Sequence, residues 1–202
     1  MADIQKAIAS FEKNGFSVKY FEKKEQAAQY LLENITGKSV ACGGSVTLAQ
    51  MDFVEELKKS NCLIWHQPPY GYYNEPTVRM SQNAQVYLSG VNAASEDGVI
   101  VNIDGGGNRV SMTAYGPQEL YYVMGANKIC SGIEDAIWRA RNVAAPKNSQ
   151  RLKRKTPCAE KGDKCYDCDS PDRICSLFLF TAKKPGGIKK AEIIIIGEEL
   201  GC

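Results

Sequence analysis

The sequence predicts an α/β fold in which a Rossmann-like parallel sheet is flanked by helices and carries an added antiparallel hairpin region. Short segments that are apolar, or that alternate apolar and polar residues, include residues 16–21 and 38–44. They alternate along the chain with segments whose apolar residues have helical spacing, such as residues 25–37. This alternation is typical of a parallel sheet. The chain has 202 residues, of which 44% are hydrophobic, and this suits one globular domain with an ordinary core. We therefore expect a single α/β domain over residues 1–202.

The first half of the chain follows this alternation, because its apolar residues recur either at helical spacing or at every second position. The expected elements are a helix at 1–15, a strand at 16–21, a helix at 25–37, a strand at 38–44, a helix at 46–61 and a strand at 62–66. The segment 68–84 is rich in proline, glycine and tyrosine. It therefore predicts a long covering connection with a short helix at its end.

The second half departs from this pattern. Two alternating apolar runs surround "DGGGN" at residues 104–108, which predicts a β-hairpin with a glycine-rich tip. Ser131 and Glu134 predict a capping box at the start of a helix that Pro146 is expected to end. Further strands are predicted at 84–90, 119–125, 176–180 and 191–196. Residues 147–172 show neither the helical nor the strand period of apolar residues, so we expect a polar, cysteine-rich insertion at about 147–176.

Charge and hydropathy exclude two classes of partner. The net charge of +2, from 25 basic and 23 acidic side chains, argues against nucleic acid, and the basic run at 151–155 is interpreted as a solvated linker. The longest apolar run, at 193–197, is far shorter than the roughly 20 residues of a membrane helix. The N-terminal segment is amphipathic and does not resemble a signal peptide. We therefore expect a cytoplasmic protein, without membrane contact, whose cysteines are reduced.

Four cysteines of the insertion are spaced C-x6-C-x2-C-x6-C. The central "CYDC" is a chelating unit, because two intervening residues let both thiolates turn toward one ion. Four thiolates suit tetrahedral Zn²⁺ or an iron–sulfur cluster. The alternative is four reduced surface thiols, or a disulfide formed during handling. The predicted metal ligands are Cys158, Cys165, Cys168 and Cys175.

A second candidate feature is the glycine turn "CGGS", where a predicted strand ends and a helix begins. Gly43, Gly44 and Ser45 would let a ligand approach the backbone, and free amides at a helix start attract a phosphate or carboxylate. Many α/β folds, however, use glycine in this position simply to close a tight connection.

The third feature is the predicted hairpin tip, which combines acidic residues with glycines. Glu96, Asp97 and Asp104 are candidates for proton transfer or nucleophilic attack. The sole histidine, His66, is interpreted as a surface residue rather than a base. Arg109 could fork onto a carboxylate or phosphate, although a flexible tip with a salt-bridged arginine would look the same. The predicted ligand-binding residues of this tip are Gly105, Gly106, Asn108 and Arg109.

The segments "GVNAASEDGVIVNIDGGGNR", "YGPQELYYVMGANKI", "IEDAIWRARNVAAPKNSQRL" and "PCAEKGDKCYDCDSPDRICS" follow one another, and together they resemble the LUD domain family of lactate utilisation proteins. The likeness implies the fold of the NagB/RpiA/CoA-transferase-like superfamily. It also implies a ligand between the glycine turn, with Thr47, and the acidic residues 96, 97 and 104. Asn127 and Lys128 are expected at the same edge of the sheet.

The resemblance further implies participation in the oxidation of L-lactate, alongside partners that carry iron–sulfur clusters. Some relatives are fused to ferredoxin modules, whereas this sequence has only its four-cysteine loop. Two hypotheses follow. The protein binds a small anionic metabolite, namely a 2-hydroxy acid or a phosphorylated or CoA-linked acid. Alternatively, it is a non-catalytic metal-binding or scaffold subunit of an iron–sulfur lactate-oxidising complex. Whether it is an enzyme stays open, and assembly into a homo-oligomer is compatible with both hypotheses.

Overall fold

The centre of the molecule is a six-stranded parallel sheet with the strand order β1-β10-β7-β4-β2-β3. The computed structural model describes residues 2–67 and 74–202. Its strands are β1 (Ser17–Phe21), β2 (Ser39–Cys42), β3 (Cys62–Trp65), β4 (Val86–Gly90), β5 (Ala93–Ser95), β6 (Ile100–Asp104), β7 (Glu119–Gly125), β8 (Ile129–Cys130), β9 (Leu177–Thr181) and β10 (Lys190–Ile196).

Helices cover both faces of this sheet. They are α1 (Ile4–Lys13), α2 (Lys24–Asn34), α3 (Val46–Gln50), α4 (Val54–Ser60), α5 (Glu75–Ser81), α6 (Asn108–Ala114), α7 (Ile133–Arg139), α8 (Ala145–Arg151) and α9 (Pro157–Lys161). A 3₁₀ turn covers Ala126–Lys128, and a π-helix covers Ala140–Ala144. In the described part of the chain, no helix is both long and apolar enough to cross a membrane.

The central strands are buried on both faces, which explains their continuous apolar runs. In β10, Ile194 and Ile196 pack against the core formed by α2, α3 and α4. Ile193 and Ile195 face the opposite way, into the core that contains Phe11 of α1. This two-residue period places successive side chains on opposite faces of the sheet.

A smaller mixed sheet with the order β8-β5-β6-β9 adjoins the parallel sheet. Strand β6 pairs antiparallel with both β5 and β9, whereas β5 and β8 are parallel. Val101 and Ile103 of β6 pack on Ala136 and Ala140. The predicted class, a Rossmann-like parallel sheet with an added antiparallel region, is therefore confirmed.

The antiparallel hairpin lies one element earlier than the sequence suggested. Strand β5 turns into β6 through residues 96–99, and the chain after the glycines forms helix α6 instead of a returning strand. Gly107, at φ 83°, precedes this helix in the left-handed region that glycine readily adopts. The prediction of a hairpin around "DGGGN" is wrong, because the Asp104 carboxylate caps a helix start at this point.

Two helix boundaries also differ from the predictions. Gly132 precedes α7, and the Ser131–Glu134 capping box is absent. Pro146 does not end the helix, because the π-helix leads directly into α8 and places this proline in the first turn. A proline needs no backbone donor in a first turn. The insertion expected to lack helices therefore contains most of α8 and all of α9.

The stripe at 46–61 is not a single helix. It is divided into α3 and α4 at residues 51–53, where Asp52 adopts a φ of 51°. The short helix predicted at the end of 68–84 is present as α5, while residues 68–73 of that connection lie outside the described residues.

Candidate functional site

A cavity of about 500 Å³ opens at the carboxyl edge of the parallel sheet. Its walls include Ser45 after β2, His66 after β3, Asn92 after β4 and Lys128 after β7. The chain passes from β2 to β3 on one side of β2 and then to β4 on the other side. The cavity therefore lies at a topological switch point, where open α/β sheets bind ligands.

The glycine turn after β2 serves packing as well as the cavity. A Cβ on Gly43 would lie 3.0 Å from both Cδ of Arg109 and the hydroxyl of Tyr87, so this residue must be small. Gly44 lines the cavity, and the nearest atom to a Cβ there, Oε1 of Gln67, is 3.7 Å away. Helix α3 has five residues and few free amides, because Ser45 N–H donates to Gln67 Oε1 at 2.8 Å. A helix-terminus anion site is therefore not favoured.

The Asp104 carboxylate organises the loop after β6. Its Oδ1 accepts hydrogen bonds from the backbone N–H groups of Gly106 and Gly107, at 3.1 and 3.2 Å. Its Oδ2 accepts from the N–H groups of Arg109 and Val110, at 3.0 and 3.1 Å. All four bonds hold the glycine tip against the start of α6. Asp104 lines the cavity with little free hydrogen-bonding capacity, which does not favour a role in proton transfer.

The Arg109 guanidinium is similarly engaged, although only with neutral groups. Nη1 donates to Gly90 O at 3.2 Å and to Asn102 Oδ1 at 2.7 Å. Nη2 donates to Asn92 Oδ1 at 2.9 Å and to Ile103 O at 2.6 Å. The side chain thus connects the end of β4, the residue before β5, and β6. Its donors are already used, so it contributes positive charge to the cavity more than free hydrogen-bond donors.

Glu96 and Asp97 do not line the cavity. Both pair with Lys6 of α1, at 2.9 and 3.1 Å, on the outer side of the β5–β6 turn. The backbone N–H of Asp3 and the Lys6 ammonium together lower the pKa of Glu96. The structure therefore does not bring these two predicted catalytic carboxylates to the glycine turn.

Lys128 is the most buried cation of the cavity, with 4% of its surface exposed. Its Nζ donates to Thr47 Oγ1 at 2.9 Å. Burial, followed by the charges of Arg139 and Arg109, lowers the pKa of Lys128 to about 7. Lys128 and Thr47 thus meet as expected. Asn127 instead accepts the Leu200 N–H through Oδ1 at 3.2 Å and does not line the cavity.

Three further cations at the cavity come from the insertion. They are Arg151, Arg154 and Arg173. Arg151 and Arg154 belong to the run interpreted as a solvated linker, but the continuation of α8 past Pro146 brings them to the cavity wall. His66 also lines the cavity instead of the surface, with 9% of its surface exposed, and burial lowers its pKa. The position of His66 directly after β3 was the sequence feature that could have placed it at this edge of the sheet.

The four cysteines of the insertion line a second, small cavity of about 20 Å³. The Asp167 N–H donates to Cys165 Sγ at 3.4 Å, and Thr156 Oγ1 lies 3.3 Å from Cys158 Sγ. Within residues 2–67 and 74–202, no three or more His, Cys, Asp or Glu side chains are grouped so that they could hold a metal ion as they stand. All eight cysteines are free of disulfides.

Comparison with known proteins gives one family match and several structural similarities. The family model described as the LUD domain matches residues 4–196. A DUF162 family protein from Deinococcus radiodurans is similar over 96% of each chain, with 10% identity and a TM-score of 0.55. Ribose 5-phosphate isomerase A from Neisseria gonorrhoeae is 15% identical over 55% of this chain and 54% of its own, with a TM-score of 0.37.

The isomerase A from Methanocaldococcus jannaschii is 14% identical over 64% of this chain and 62% of its own, with a TM-score of 0.39. No curated protein matches the chain. At these identities the structural likeness concerns the fold alone.

Proposed function

We propose that this chain, which belongs to the LUD domain family, binds a small anionic metabolite in the carboxyl-edge cavity and participates in the utilisation of lactate or a related 2-hydroxy acid. One observation carries the proposal, namely the excess of positive charge around the cavity. Its described walls carry five cationic side chains against two acidic side chains, although the whole chain has a net charge of only +2. The cations are Arg109, Lys128, Arg151, Arg154 and Arg173.

The two carboxylates leave this excess largely uncompensated. Asp104 accepts four backbone N–H groups, and Asp172 accepts the Lys155 N–H at 2.6 Å and pairs with Arg154 at 3.3 Å. Among the described residues, no carboxylate forms an ion pair with Lys128. A buried cation without an anion is costly, so a bound carboxylate or phosphate would stabilise this edge.

The cavity size favours an acid larger than lactate. Its volume of about 500 Å³ is within the usual range of ligand sites. L-Lactate has six non-hydrogen atoms and would leave most of this space to water, which occupies about 30 Å³ per molecule. A phosphorylated or CoA-linked 2-hydroxy acid would fill more of the cavity and would engage more of its arginines.

Proton transfer in the cavity is best supported for Lys128 and His66. Burial lowers both pKa values, that of Lys128 to about 7. Each group can therefore exist in the neutral form near pH 7 and accept a proton. The carboxylates predicted for this role are less suited, because Glu96 and Asp97 pair with Lys6 away from the cavity.

Calorimetric titration with charged and neutral ligands tests the proposal. L-Lactate, 3-phosphoglycerate and acetyl-CoA are titrated into the protein, and lactamide serves as the uncharged match of lactate. We expect at least one acid to bind, no binding of lactamide, and a loss of affinity of tenfold or more in Lys128→Met. The matched control is Lys59→Met, because Lys59 is exposed on α4. Failure of all three acids, or equal affinity in Lys128→Met, would contradict the proposal.

The four-cysteine cavity favours a second candidate function. In this alternative, the chain is a non-catalytic, metal-binding subunit of an iron–sulfur lactate-oxidising complex. Affinity purification of the tagged chain from its own host, without oxygen, would then recover an iron–sulfur partner. The Cys165→Ser and Cys168→Ser variants would lose this partner, whereas Lys128→Met would retain it. The opposite pattern would support metabolite binding alone.

A further inference from the structure

The four cysteines of the insertion line one small cavity although they come from separate turns of the chain. Their side chains, with those of Arg141, Arg173 and Ile174, surround the cavity of about 20 Å³ between α8 and the loop before β9. We infer that this cavity is the site of a single metal ion held by the thiolates of Cys158, Cys165, Cys168 and Cys175. Zn²⁺ is the ion that best matches four thiolate ligands in tetrahedral geometry.

The backbone around the central pair has the form of a chelating turn. Asp167, between Cys165 and Cys168, adopts a φ of 46°, in the left-handed region that Asp tolerates better than most residues. Its N–H donates to Cys165 Sγ at 3.4 Å. Backbone hydrogen bonds of this kind orient a cysteine sulfur as a metal ligand.

The two outer cysteines are also held in place by their neighbours. Cys158 lies in the first turn of α9, where Thr156 caps the helix and its Oγ1 is 3.3 Å from Cys158 Sγ. Arg173 connects the remaining segments, since Nη1 donates to Cys168 O at 2.8 Å and Nη2 to Cys175 O at 3.2 Å. These contacts fix the backbone at Cys158, Cys168 and Cys175.

The surrounding charge suits a thiolate site. Four thiolates and one divalent ion carry a net charge of about −2, and two guanidinium groups line the same cavity. Arg141 Nη2 lies 3.9 Å from Cys165 Sγ, and the same side chain pairs with Asp167 at 3.2 Å. Both cations would offset the negative charge of the loaded site.

The small cavity volume is compatible with one ion. About 20 Å³ is close to the space needed for one water molecule. As they stand, the thiols of the described residues are not grouped as metal ligands. Metal binding therefore requires their side chains to turn inward and release their protons to solvent.

This site shares a wall with the larger cavity. Arg173 and Ile174 line both cavities, and a Cβ on Gly105 would lie 3.0 Å from the Ile174 Cα. The cysteine loop thus packs directly on the glycine tip. If the proposed metabolite binding is correct, the metal also fixes Arg173 beside the ligand, and its removal weakens anion binding severalfold.

Metal analysis of the full chain, purified without oxygen and with a reductant, tests the inference. We expect colourless protein with one zinc per chain, loss of zinc in Cys165→Ser and Cys168→Ser, and retention in Cys62→Ser. Cys62 is an exposed cysteine at the start of β3 and is therefore the matched control. Brown protein with iron and sulfide, zinc retained by both variants, or no uptake of added Zn²⁺ or Co²⁺ would each overturn the single-ion assignment.

A second measurement on the unmutated protein avoids variants that fail to fold. Zinc-loaded and chelator-treated protein is alkylated, and the modified peptides are identified by mass spectrometry. We expect zinc to protect Cys158, Cys165, Cys168 and Cys175, four of the eight cysteines, and to leave the labelling of Cys62 unchanged. Equal labelling of the four with and without zinc would overturn the inference. Neither experiment contains an organic anion, so its outcome is independent of the proposed metabolite binding.

Discussion

The two edges of the parallel sheet differ in how their charged side chains are paired. At the amino edge, Lys38 pairs with Glu119 at 2.6 Å, and Lys190 pairs with the buried Glu192 at 3.1 Å. Tyr30 also donates to Glu192 Oε1 at 2.8 Å. Each cation of this network has a carboxylate partner within the chain.

The carboxyl edge contains cations whose hydrogen bonds go to neutral oxygens. Lys128 donates to a hydroxyl, and Arg109 donates to two carbonyls and two side-chain amides. No ion pair in the described part of the chain involves either residue. The charges at the amino edge are paired within the fold, and the unpaired charges at the carboxyl edge support the proposed binding of an external anion there.

The largest expected effect is on stability and comes from the amino edge. Glu192→Ala removes a charged acceptor that pairs with Lys190 and receives a hydrogen bond from Tyr30, so we expect the free energy of unfolding to fall by about 3–5 kcal/mol. Urea denaturation measures this change. The control, Glu56→Ala, breaks an exposed pair and costs less than about 1 kcal/mol. Loss of anion affinity in still-folded Glu192→Ala would break the proposed division between the edges.

Arg109→Ala is expected to lower the free energy of unfolding by about 3 kcal/mol, because four acceptors of the carboxyl edge lose their donor. This variant therefore tests the fold more than the ligand site. Arg79→Ala is the matched control, since the Arg79 guanidinium is exposed and pairs with Glu75 on the same helix. An Arg109→Ala protein as stable as Arg79→Ala would contradict the structural role of this guanidinium.

The repetitive parts of the fold were the predictable ones. The isoleucines of β10 and the apolar stripe of α2 follow the period of their element, and their placement was correct. The helix after "DGGGN" was missed because its cap is the Asp104 carboxylate, which lies before the glycines and not next to the helix. This carboxylate accepts from the N–H groups of residues 106, 107, 109 and 110. Pro146 was misread because a π-helix places it in the first turn of α8.

The candidate site was predictable only in part. Thr47 and Lys128 are joined as expected, since strand ends of a parallel sheet meet at one edge. Arg151, Arg154 and Arg173 could not be assigned to the cavity, because their position depends on how the long helix ending in α8 and the cysteine loop pack. Charge in the sequence alone does not distinguish a solvated arginine from one that lines a cavity.

The pH dependence of binding sharpens the comparison and has a moderate expected size. The Lys128 pKa is about 7 in the folded protein, well below its value of 10.5 in an unfolded chain. As pH rises above 7, the cation is lost, so we expect the affinity for the acid that binds most tightly to fall by up to about tenfold per pH unit. Calorimetry from pH 6.5 to 8.5 measures this fall. In Lys128→Met, the dependence should be absent.

The same group has the opposite effect on the stability of the ligand-free protein. Between pH 7 and pH 8, the unfolded chain holds a proton on Lys128 that the folded chain partly loses, so the free energy of unfolding rises with pH. Urea denaturation of wild type and Lys128→Met at both pH values isolates this contribution. A wild-type slope equal to that of the variant would contradict the lowered pKa.

The smallest effect is expected at the rim of the cavity. Arg154 is about half exposed and already pairs with Asp172, so Arg154→Ala should cost less than about 1 kcal/mol in stability. Anion affinity should fall by less than about fivefold, corresponding to about 1 kcal/mol. Thermal denaturation and calorimetry provide the two values. A larger loss of affinity than in Lys128→Met would indicate that the anion binds at the insertion and not at the cavity floor.

Hydrogen–deuterium exchange with and without ligand tests the central claim most directly, because it reports which edge of the sheet an anion contacts. The protein is compared alone and with saturating L-lactate, 3-phosphoglycerate or acetyl-CoA. We predict that at least one of these acids slows exchange at residues 43–48, 90–92 and 104–110, and leaves 38–40, 119–121 and 190–192 unchanged. Protection confined to the amino edge, or no protection by any of the three acids, would contradict the account.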